Sequence, residues 1–352
     1  MPEWLTESQA VALVGMFGGL LLGLAARLGR FCTLGAIEDA LYGGSDTRLR
    51  MWALAVGIAV TGSFALIGAG LLDETKSFYL SIRWMPMASI LGGLMFGYGM
   101  ALAGNCGYGA IARLGGGDLR SFVIVLVMGV STYVVLAGPL APLRNFFFEQ
   151  VDVTTETPPG LAHHAAALTG LPVHVIGIAL GIAIIIAALW APALRRDRKA
   201  LFWSVMVGVA IFSGWGGTQY VATNGFEALP VVSHSFSAPV GETIVWAMSG
   251  SLRPVSFAVG SVGGVWLGAF VGSLIKGHFR WEACEDPREL RRQIIGAAVM
   301  GAGAVLAMGC TVGQGMSAFS LLAISAPVTF LSIFAGAAFG LRQLIEGFKP
   351  AE

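Results

Sequence analysis

Three of the four cysteines lie in short segments of similar design. The segments are GRFCTLGAIEDAL (29–41), AGNCGYGAIARLGGGDLRSF (103–122) and MGCTVGQGMSAFSLL (308–322), which place Cys32, Cys106 and Cys310 three residues before Gly35, Gly109 and Gly313. A thiol is a soft, polarisable S–H donor whose reactivity depends on its pKa and its access. It suits contact with a soft, exposed sulfur atom and gives little to a hard oxyanion such as sulfate. The segments therefore predict chemistry or recognition directed at a sulfur-containing anion.

Each cysteine segment interrupts a hydrophobic run and is followed by a helix-compatible stretch, which predicts a helix break and a new helix start. Non-helical backbone at membrane depth is tolerated where it is buried or lines a wet cavity. The helix starts after Cys106 and Cys310 would direct free backbone N–H groups into such a pathway, and helix N-termini favour anions. A single buried cysteine is more simply a small hydrophobic residue. The recurrence in three equivalent breaks favours a pathway instead.

Polar residues beside the cysteines are further candidates. Asn105 and Gln314 are uncharged donors that could hold substrate oxygens without trapping an ion by full charge. Arg30 and Arg113 fit two roles equally, because an intramembrane cation is a functional candidate and a cation at a cytoplasmic helix end is also an anchor. Cys284 lies in a charged loop without the glycine-break pattern, and we interpret it as incidental.

The composition indicates a membrane protein. Of 352 residues, 56% are hydrophobic and 12% are charged, and the mean hydropathy is +0.77. Soluble domains carry about twice that share of charge. The acidic first ten residues lack a basic region, so the first apolar run is expected to be a retained span. Nine spans are predicted, which together with short re-entrant helices make an all-α polytopic bundle: 11–29, 51–72, 85–104, 121–141, 171–191, 201–217, 254–275, 292–309 and 321–341.

The loop charges predict an orientation. Lys and Arg concentrate in the loops after the first, third, fifth and seventh predicted spans, as in the run Arg195-Arg196-Asp197-Arg198-Lys199. Cytoplasmic loops carry this excess, so the N-terminus is expected outside and the C-terminus inside. The two long segments 142–170 and 218–253 are poor spanning candidates and are expected to cap an outer vestibule, with His163, His164 and His234 facing solvent.

An internal repeat is predicted from the glycine and cysteine positions. Shifting Gly92–Gly109 by 204 residues onto Gly296–Gly313 matches seven of 18 positions, including Cys106 with Cys310. An odd connecting span would invert the second half, as in many transporters. We therefore predict a first half at 1–150, a connecting segment and span at 151–199, and an inverted second half at 200–352. A fourth copy of the break is expected near SGWGGTQY, after span 201–217, where no cysteine is present.

Several kinds of site are not indicated by the sequence. The cysteines form no CxxC pair, and no histidine pair at metal-ligand spacing stands near one, so no metal or cofactor is expected. No acid/base pair or Ser/His/Asp arrangement is recognisable. The net charge of +1 does not suggest a nucleic-acid partner. Glycines spaced by four, as in Gly15/Gly19/Gly23 and Gly260/Gly264/Gly268, predict close packing of helices in lipid.

The cysteine motifs, the nine spans and the glycine-rich repeats resemble those of the YeeE/YedE family, most closely in GNCGYGAIARLGGGDLRS and GCTVGQGMSA. The resemblance implies an hourglass-shaped helical bundle in the bacterial inner membrane that takes up thiosulfate or a related sulfur compound. It implies that Cys32, Cys106 and Cys310 lie along the constriction and pass the ion inward. Some members of the family act with a small cytoplasmic sulfur-carrier protein, which makes such a carrier a candidate partner.

Three functions remain open at this level. The first is a permease for thiosulfate or a similar anion, with no enzymatic activity, which draws the ion from a positively biased outer vestibule. The second is a membrane sulfurtransferase, in which one cysteine takes up sulfur as a persulfide and delivers it to a cytoplasmic carrier. The third is an assembly subunit, which is disfavoured because irregular polar breaks are costly in a passive bundle.

Overall fold

The computed structural model describes residues 6–149, 157–283 and 286–347, and these residues form α-helices with isolated β-bridges and no strand. The helices are α1 (Glu7–Leu28), α2 (Thr33–Leu41), α3 (Thr47–Gly68), α4 (Phe78–Ser81), α5 (Pro86–Ala103), α6 (Gly107–Leu114), α7 (Leu119–Leu136), α8 (Ala141–Phe147), α9 (Leu161–Thr169), α10 (Val173–Leu189), α11 (Pro192–Arg196), α12 (Arg198–Asn224), α13 (Ala238–Ser249), α14 (Phe257–Ile275), α15 (Pro287–Leu306) and α16 (Ser325–Glu346). A 3₁₀ turn covers Glu74–Lys76, and a π-helical turn covers Gly313–Ala318.

Local sequence signals explain where several helices begin. Thr6 caps α1 in a capping box, in which its hydroxyl accepts from the Gln9 N–H at 3.3 Å and the Gln9 side chain accepts from the Thr6 N–H at 3.2 Å. Asp197 accepts from the backbone N–H groups of Lys199 and Ala200, both at 3.0 Å, and so caps α12. These caps satisfy the free donors at the first turns of two long helices.

The membrane-spanning character of the bundle is confirmed. A helix occupies each of the nine predicted spans. Among the described residues, seven helices are long and apolar enough to cross a bilayer, and the bent pair α9 and α10 raises the number to eight. The helix at the remaining predicted span, α15, is not among them. The Cys284 loop position lies outside the described residues, so its interpretation stays a prediction.

Glycines pack the helices backbone to backbone, as their spacing predicts. A Cβ atom added at Gly19 of α1 would lie 3.1 Å from the Cα of Gly264 in α14, and a Cβ added at Gly264 would lie 3.0 Å from the Cα of Gly19. Small residues permit this approach in lipid, where van der Waals packing holds helices together. A neighbouring face of α1 packs against α12, where an added Cβ at Gly18 would lie 3.3 Å from the Ala210 carbonyl oxygen.

We predict opposite effects of one added methyl group at two adjacent positions in α14. Gly264→Ala would force α1 and α14 apart and should destabilise the protein by about 1–3 kcal/mol. Gly263 has no neighbouring atom within 4 Å of an added Cβ, so Gly263→Ala should stabilise the helix by up to about 1 kcal/mol. Thermal unfolding of the detergent-purified variants measures both. Equal unfolding temperatures for the two variants would contradict the packing argument.

Helices α5 and α15, which carry the predicted repeat, pack against each other through reciprocal glycine contacts. An added Cβ at Gly92 would lie 2.8 Å from the Gly303 carbonyl oxygen, and one at Gly303 would lie 2.8 Å from that of Gly92. An added Cβ at Gly99 would lie 2.6 Å from the Gly296 oxygen, and the reverse distance is 2.7 Å. Shifting Gly92 and Gly99 by 204 residues gives Gly296 and Gly303. If each residue is replaced by its counterpart in the other half, the Gly92–Gly303 contact becomes the Gly296–Gly99 contact.

The segment between α12 and α13 enters the bundle. Helix α12 continues unbroken through SGWGGTQY to Asn224, so the expected fourth break does not occur there. The break comes later, in residues 225–237, which run from the end of α12 to Ser237 at the start of α13. Val231 pairs with Ser77 in a parallel bridge, and His234 and Phe236 are completely buried. The long 218–253 segment thus contributes to the interior as well as to one end of the molecule.

Candidate functional site

The three cysteines occupy equivalent positions in three helix breaks. A residue with left-handed backbone stands two positions before each cysteine: Arg30 with φ 54°, Gly104 with φ 77° and Met308 with φ 53°. This conformation is strained for Arg30 and Met308, because they carry a Cβ atom. Each cysteine then begins a new helix, as the sequence predicts, namely α2, α6 and the short helix at 311–320.

The Cys310 sulfur receives a cluster of donors. The backbone N–H groups of Gly313 and Phe236 each donate to Cys310 Sγ at 3.3 Å, and the Ser235 hydroxyl lies 3.7 Å from it. Cys310 is 1% exposed. A neutral thiol sulfur is a weak acceptor, so this set of donors makes the surroundings of Cys310 favourable to electron-rich sulfur.

Cys106 has a related but smaller set of neighbours. Its sulfur accepts from the Gly109 N–H at 3.4 Å, in the same three-residue spacing as Cys310 and Gly313. The Thr311 hydroxyl lies beside the Cys106 thiol, and Cys106 is completely buried. The first turns of α6 and of the 311–320 helix therefore each direct an N–H group at the preceding cysteine sulfur.

Cys32 differs from the other two. It starts α2 without a side-chain hydrogen bond to the helix and is half-buried. An atom added at Gly35 would meet the guanidinium of Arg48, which forms an ion pair with Asp39 at 3.1 Å. Cys32 thus lies near a charged surface rather than in the apolar core.

The Cys106 thiol is a neighbour of both other thiols. Cys106 is within electrostatic range of both Cys32 and Cys310, and the interaction with Cys32 is the larger. Phe236 joins the segments further, since its N–H donates to Cys310 Sγ and its ring packs against Tyr108 with centroids 5.5 Å apart. The fold therefore brings together cysteines that are up to 278 positions apart in the chain, from Cys32 to Cys310.

A cavity of about 520 Å³ leads to the Cys310 break. It lies at the end of the bundle where α1 and α14 begin, and Met308, Gly309 and Ser235 form part of its wall. Its lining is mainly apolar and hydroxyl-bearing, and Glu242 is the one charged side chain among the described lining residues. The prediction of a positively biased vestibule is therefore wrong for the lining of this cavity.

The cations gather at the opposite end of the bundle, where α1 and α14 finish. Partial desolvation and the neighbouring cations Arg30, Arg27 and Lys199 lower the pKa of Lys276 from its ordinary value. Arg113 lies near another cation at this end, Arg27 in the last turn of α1. Both Arg30 and Arg113 are exposed. The site candidates Arg30 and Arg113 thus belong to a cationic cluster beside the Cys32 break.

The two amide candidates have different surroundings. The Gln314 side chain is buried and donates to the Ala307 and Met308 carbonyl oxygens at 3.0 and 3.1 Å, while its oxygen accepts from the Ser325 hydroxyl at 3.2 Å. These bonds satisfy the open end of α15, so Gln314 stabilises the break. Asn105 is 3% exposed, and its side-chain oxygen lies over the first turn of α6, 3.3 Å from an atom added at Gly109.

Two histidines expected in solvent are buried. His234 is completely buried and its Nδ1 lies 2.7 Å from the Ser261 hydroxyl. His163 is 8% exposed and pairs with Glu74 at 3.2 Å, whereas His164 is exposed as expected. Both errors have one cause, because helix α9, which carries His163, and the segment that carries His234 pack against the bundle.

Sequence reasoning missed the residues that surround Cys310 from a distant part of the chain. Ser235 and Phe236 lie 75 and 74 positions before Cys310. The one available signal was the alternation SHSFS at 233–237, which places three serines on one side of an extended segment. Within the described residues, no group of three or more His, Cys, Asp or Glu side chains could hold a metal ion.

Comparison with known proteins identifies the family of the chain. The family described as "Sulphur transport" matches residues 28–339. The thiosulfate transporter TsuA of Escherichia coli is 25% identical over 324 residues, which cover 87% of each chain. The thiosulfate transporter TsuA of Spirochaeta thermophila is 23% identical over 319 residues, which cover 88% of this chain and 92% of the relative. The chain is thus a member of the sulphur transport family, in which the YeeE/YedE proteins are grouped.

Proposed function

We propose that this protein is a permease that imports thiosulfate, or a related small sulfur-containing anion, through a constriction lined by Cys310, Cys106 and Cys32. The observation that carries the proposal is that the Cys106 thiol lies near both other thiols, while Cys310 is next to the cavity wall and Cys32 is next to the cationic cluster. The relatives named thiosulfate transporter support the substrate. The roles of Asn105, Arg30 and Arg113 along this path belong to the same proposal.

The chemistry of the path suits an anion with two different ends. Thiosulfate carries hard oxygen atoms and one soft terminal sulfur, and a thiol is a matched donor to the soft end. The breaks add the N–H groups of the helix starts, whose partial positive charge attracts an anion without binding it as tightly as a full charge. Transfer from one thiol to the next then needs only exchange of similar hydrogen bonds, and the cations beside Cys32 draw the ion onward.

The orientation in the proposal is that of a bacterial inner-membrane protein with a periplasmic N-terminus and a cytoplasmic C-terminus. The cationic cluster supports it, because Lys and Arg accumulate on the cytoplasmic side. A fluorescent protein fused to the C-terminus and an alkaline phosphatase fused at the same point test it. We expect the first fusion to fluoresce and the second to be inactive, and the opposite pair of results would invert the topology.

We also propose that residues 1–150 and 200–352 are inverted halves joined by the segment 151–199. The exchange of the Gly92–Gly303 and Gly296–Gly99 contacts under one shift of 204 residues supports this, because a two-fold relation between repeats requires such reciprocal contacts. The constriction then lies at the repeat interface, where α5 and α15 both end in a cysteine break. An experimental structure whose halves fail to superpose after a two-fold rotation would refute the repeat.

Growth with thiosulfate as the sole sulfur source tests the function directly. The host is a bacterial strain deprived of its own thiosulfate and sulfate uptake systems, and the protein is expressed to a measured membrane level. We expect growth with the protein and none with the empty vector. Growth on another sulfur or selenium compound, with none on thiosulfate, would show that thiosulfate is not the substrate and would leave the transport function in place.

The donors around Cys310 favour one second candidate, a membrane sulfurtransferase. A Cys310 thiolate would attack the terminal sulfur of thiosulfate, form a cysteine persulfide and release sulfite, after which a small cytoplasmic carrier would accept the sulfur. Intact-protein mass spectrometry after exposure to thiosulfate decides between the two. A gain of one sulfur atom supports the transferase, and an unmodified protein that still accumulates thiosulfate leaves the permease.

A carboxylate in the cavity makes a further prediction. Glu242 lines the wall and accepts a hydrogen bond of 2.5 Å from Ser256. An ionised carboxylate repels an anion there, so Glu242→Gln should lower the KM for thiosulfate by about three- to ten-fold through the loss of that repulsion. Uptake of radiolabelled thiosulfate into proteoliposomes measures the change. An increased KM would instead assign Glu242 a favourable role, such as carrying a proton with the anion.

A further inference from the structure

Three alternating serines form one side of the cavity next to Cys310. Ser233, Ser235 and Ser237 all belong to the segment that precedes the first turn of α13, and all line the cavity. The Ser233 hydroxyl donates to the Ile211 carbonyl at 2.7 Å, and the Ser235 hydroxyl lies 3.7 Å from Cys310 Sγ. Ser237 is 2% exposed, and its hydroxyl has no hydrogen-bond partner in the described parts of the chain.

The unpartnered Ser237 hydroxyl is not explained by the helix that it precedes. Ser237 occupies the N-cap position of α13, where a serine normally accepts from a backbone N–H of the first turn. Here it makes no such bond. Buried hydroxyl groups are almost always bonded, and each exception requires a reason. A hydroxyl held at the wall of a cavity without a protein partner is available to a ligand.

The position of Ser237 in the proposed repeat points to the same use. Shifting Thr33 by 204 residues gives Ser237, so both follow the break that precedes a short helix. The Thr33 hydroxyl is also buried without a partner in the described residues. Thr311, which follows Cys310, places its buried hydroxyl beside the Cys106 thiol. A hydroxyl therefore accompanies the thiols at each stage of the path.

We propose that Ser235 and Ser237 form a subsite for the oxygen atoms of a sulfur oxyanion, which directs its terminal sulfur toward Cys310. The inference rests on the proposed transport of thiosulfate and adds the residues that orient it. Hydroxyl groups are hard donors that suit oxygen, and Cys310 is the soft donor 3.7 Å from Ser235. Ser256, another hydroxyl-bearing residue of the cavity lining, donates its hydroxyl to Glu242.

The subsite predicts that oxygen and sulfur recognition separate by mutation. Sulfate lacks the terminal sulfur, so it should occupy the serine subsite alone and act as a weak competitive inhibitor of thiosulfate uptake. Ser237→Ala should raise the KM for thiosulfate and the inhibition constant of sulfate together, each by about ten-fold, because both ions lose one hydrogen bond to a charged group. Cys310→Ala should weaken thiosulfate and leave sulfate inhibition unchanged.

Proteoliposomes with the purified protein and radiolabelled thiosulfate provide the measurement. Ser237→Cys keeps the size and a weak donor, and should fall between wild type and Ser237→Ala. Ser332→Ala is the matched control, because the Ser332 hydroxyl donates to Val328 within α16 and lies outside the cavity. Ser235→Ala is a second test if Ser237→Ala does not give a monodisperse protein, since Ser235 is only half-buried.

The outcomes distinguish the subsite from the transport proposal. Wild-type uptake with unchanged KM and unchanged sulfate inhibition in both serine variants would overturn the subsite and keep the permease. Absence of thiosulfate uptake by the wild type would overturn the proposed function. The subsite is then tested by binding, measured as the rise in unfolding temperature that thiosulfate gives to the detergent-purified protein. Equal stabilisation of wild type and Ser237→Ala would overturn the subsite in that case too.

Discussion

Alanine in place of Cys106 or Cys310 is expected to reduce thiosulfate uptake by about 30- to 100-fold, because each change removes a donor worth about 2–3 kcal/mol to a charged ligand at the proposed constriction. Both side chains are buried and small, so the cavity left by the lost sulfur atom is small as well. Uptake by whole cells at matched membrane expression is the measurement.

The controls for the cysteine prediction come from the same chain. Cys284→Ala should transport like the wild type, since its sequence context lacks the glycine-break pattern. Cys106→Ser keeps the packing and replaces a soft donor by a hard one, and it should remain defective if the softness of sulfur matters. Transport at the wild-type rate by both Cys106→Ala and Cys310→Ala would refute the thiol path and leave the substrate proposal standing.

A valine at Gly313 is expected to obstruct the path at the cavity. An added Cβ would lie 2.7 Å from the Ser235 hydroxyl and 3.2 Å from that of Tyr79. These two residues belong to the cavity wall beside Cys310. Forcing such neighbours apart costs about 1–3 kcal/mol, and the larger side chain fills space that an ion would use. We expect uptake to fall by about 10- to 100-fold.

Gly263→Val is the matched control for Gly313→Val. Gly263 has open space around an added Cβ atom. Its valine variant therefore places the same β-branched residue in a helix without a steric clash. The unfolding temperature of both proteins separates misfolding from obstruction. A folded Gly313→Val protein with wild-type uptake would move the path away from the Gly313 side of Cys310.

The two proposed activities would give different results in the Cys310 variants. A permease that uses thiols as donors needs Cys310 only while the ion passes, so substrate leaves no covalent trace. A transferase needs the thiolate, and Cys310→Ser would lose both the sulfur adduct and delivery to the carrier. The hydrogen bonds from Gly313 and Phe236 would stabilise the Cys310 thiolate that the transferase needs, and they do not by themselves distinguish it from a neutral thiol. The adduct measurement therefore carries more weight than the rate alone.

The sequence by itself determined the membrane bundle and the three cysteine breaks. Apolar runs of about twenty residues are a local property that the bilayer thickness imposes. The breaks were also readable locally, because glycine and polar residues interrupt those runs at Cys32, Cys106 and Cys310. The close packing of α1 with α14 followed from the four-residue glycine spacing, which acts through one helix face.

The tertiary structure alone decided which distant groups meet at Cys310. The segment at 225–237 read as a polar outer loop, yet it enters the bundle and donates from Phe236 to a sulfur 74 positions later. The burial of His234 and the bonding of Gln314 to the end of α15 have the same origin. Hydrophobic periodicity reports the environment of one helix at a time, whereas these contacts depend on how separate segments satisfy one another's buried polar groups.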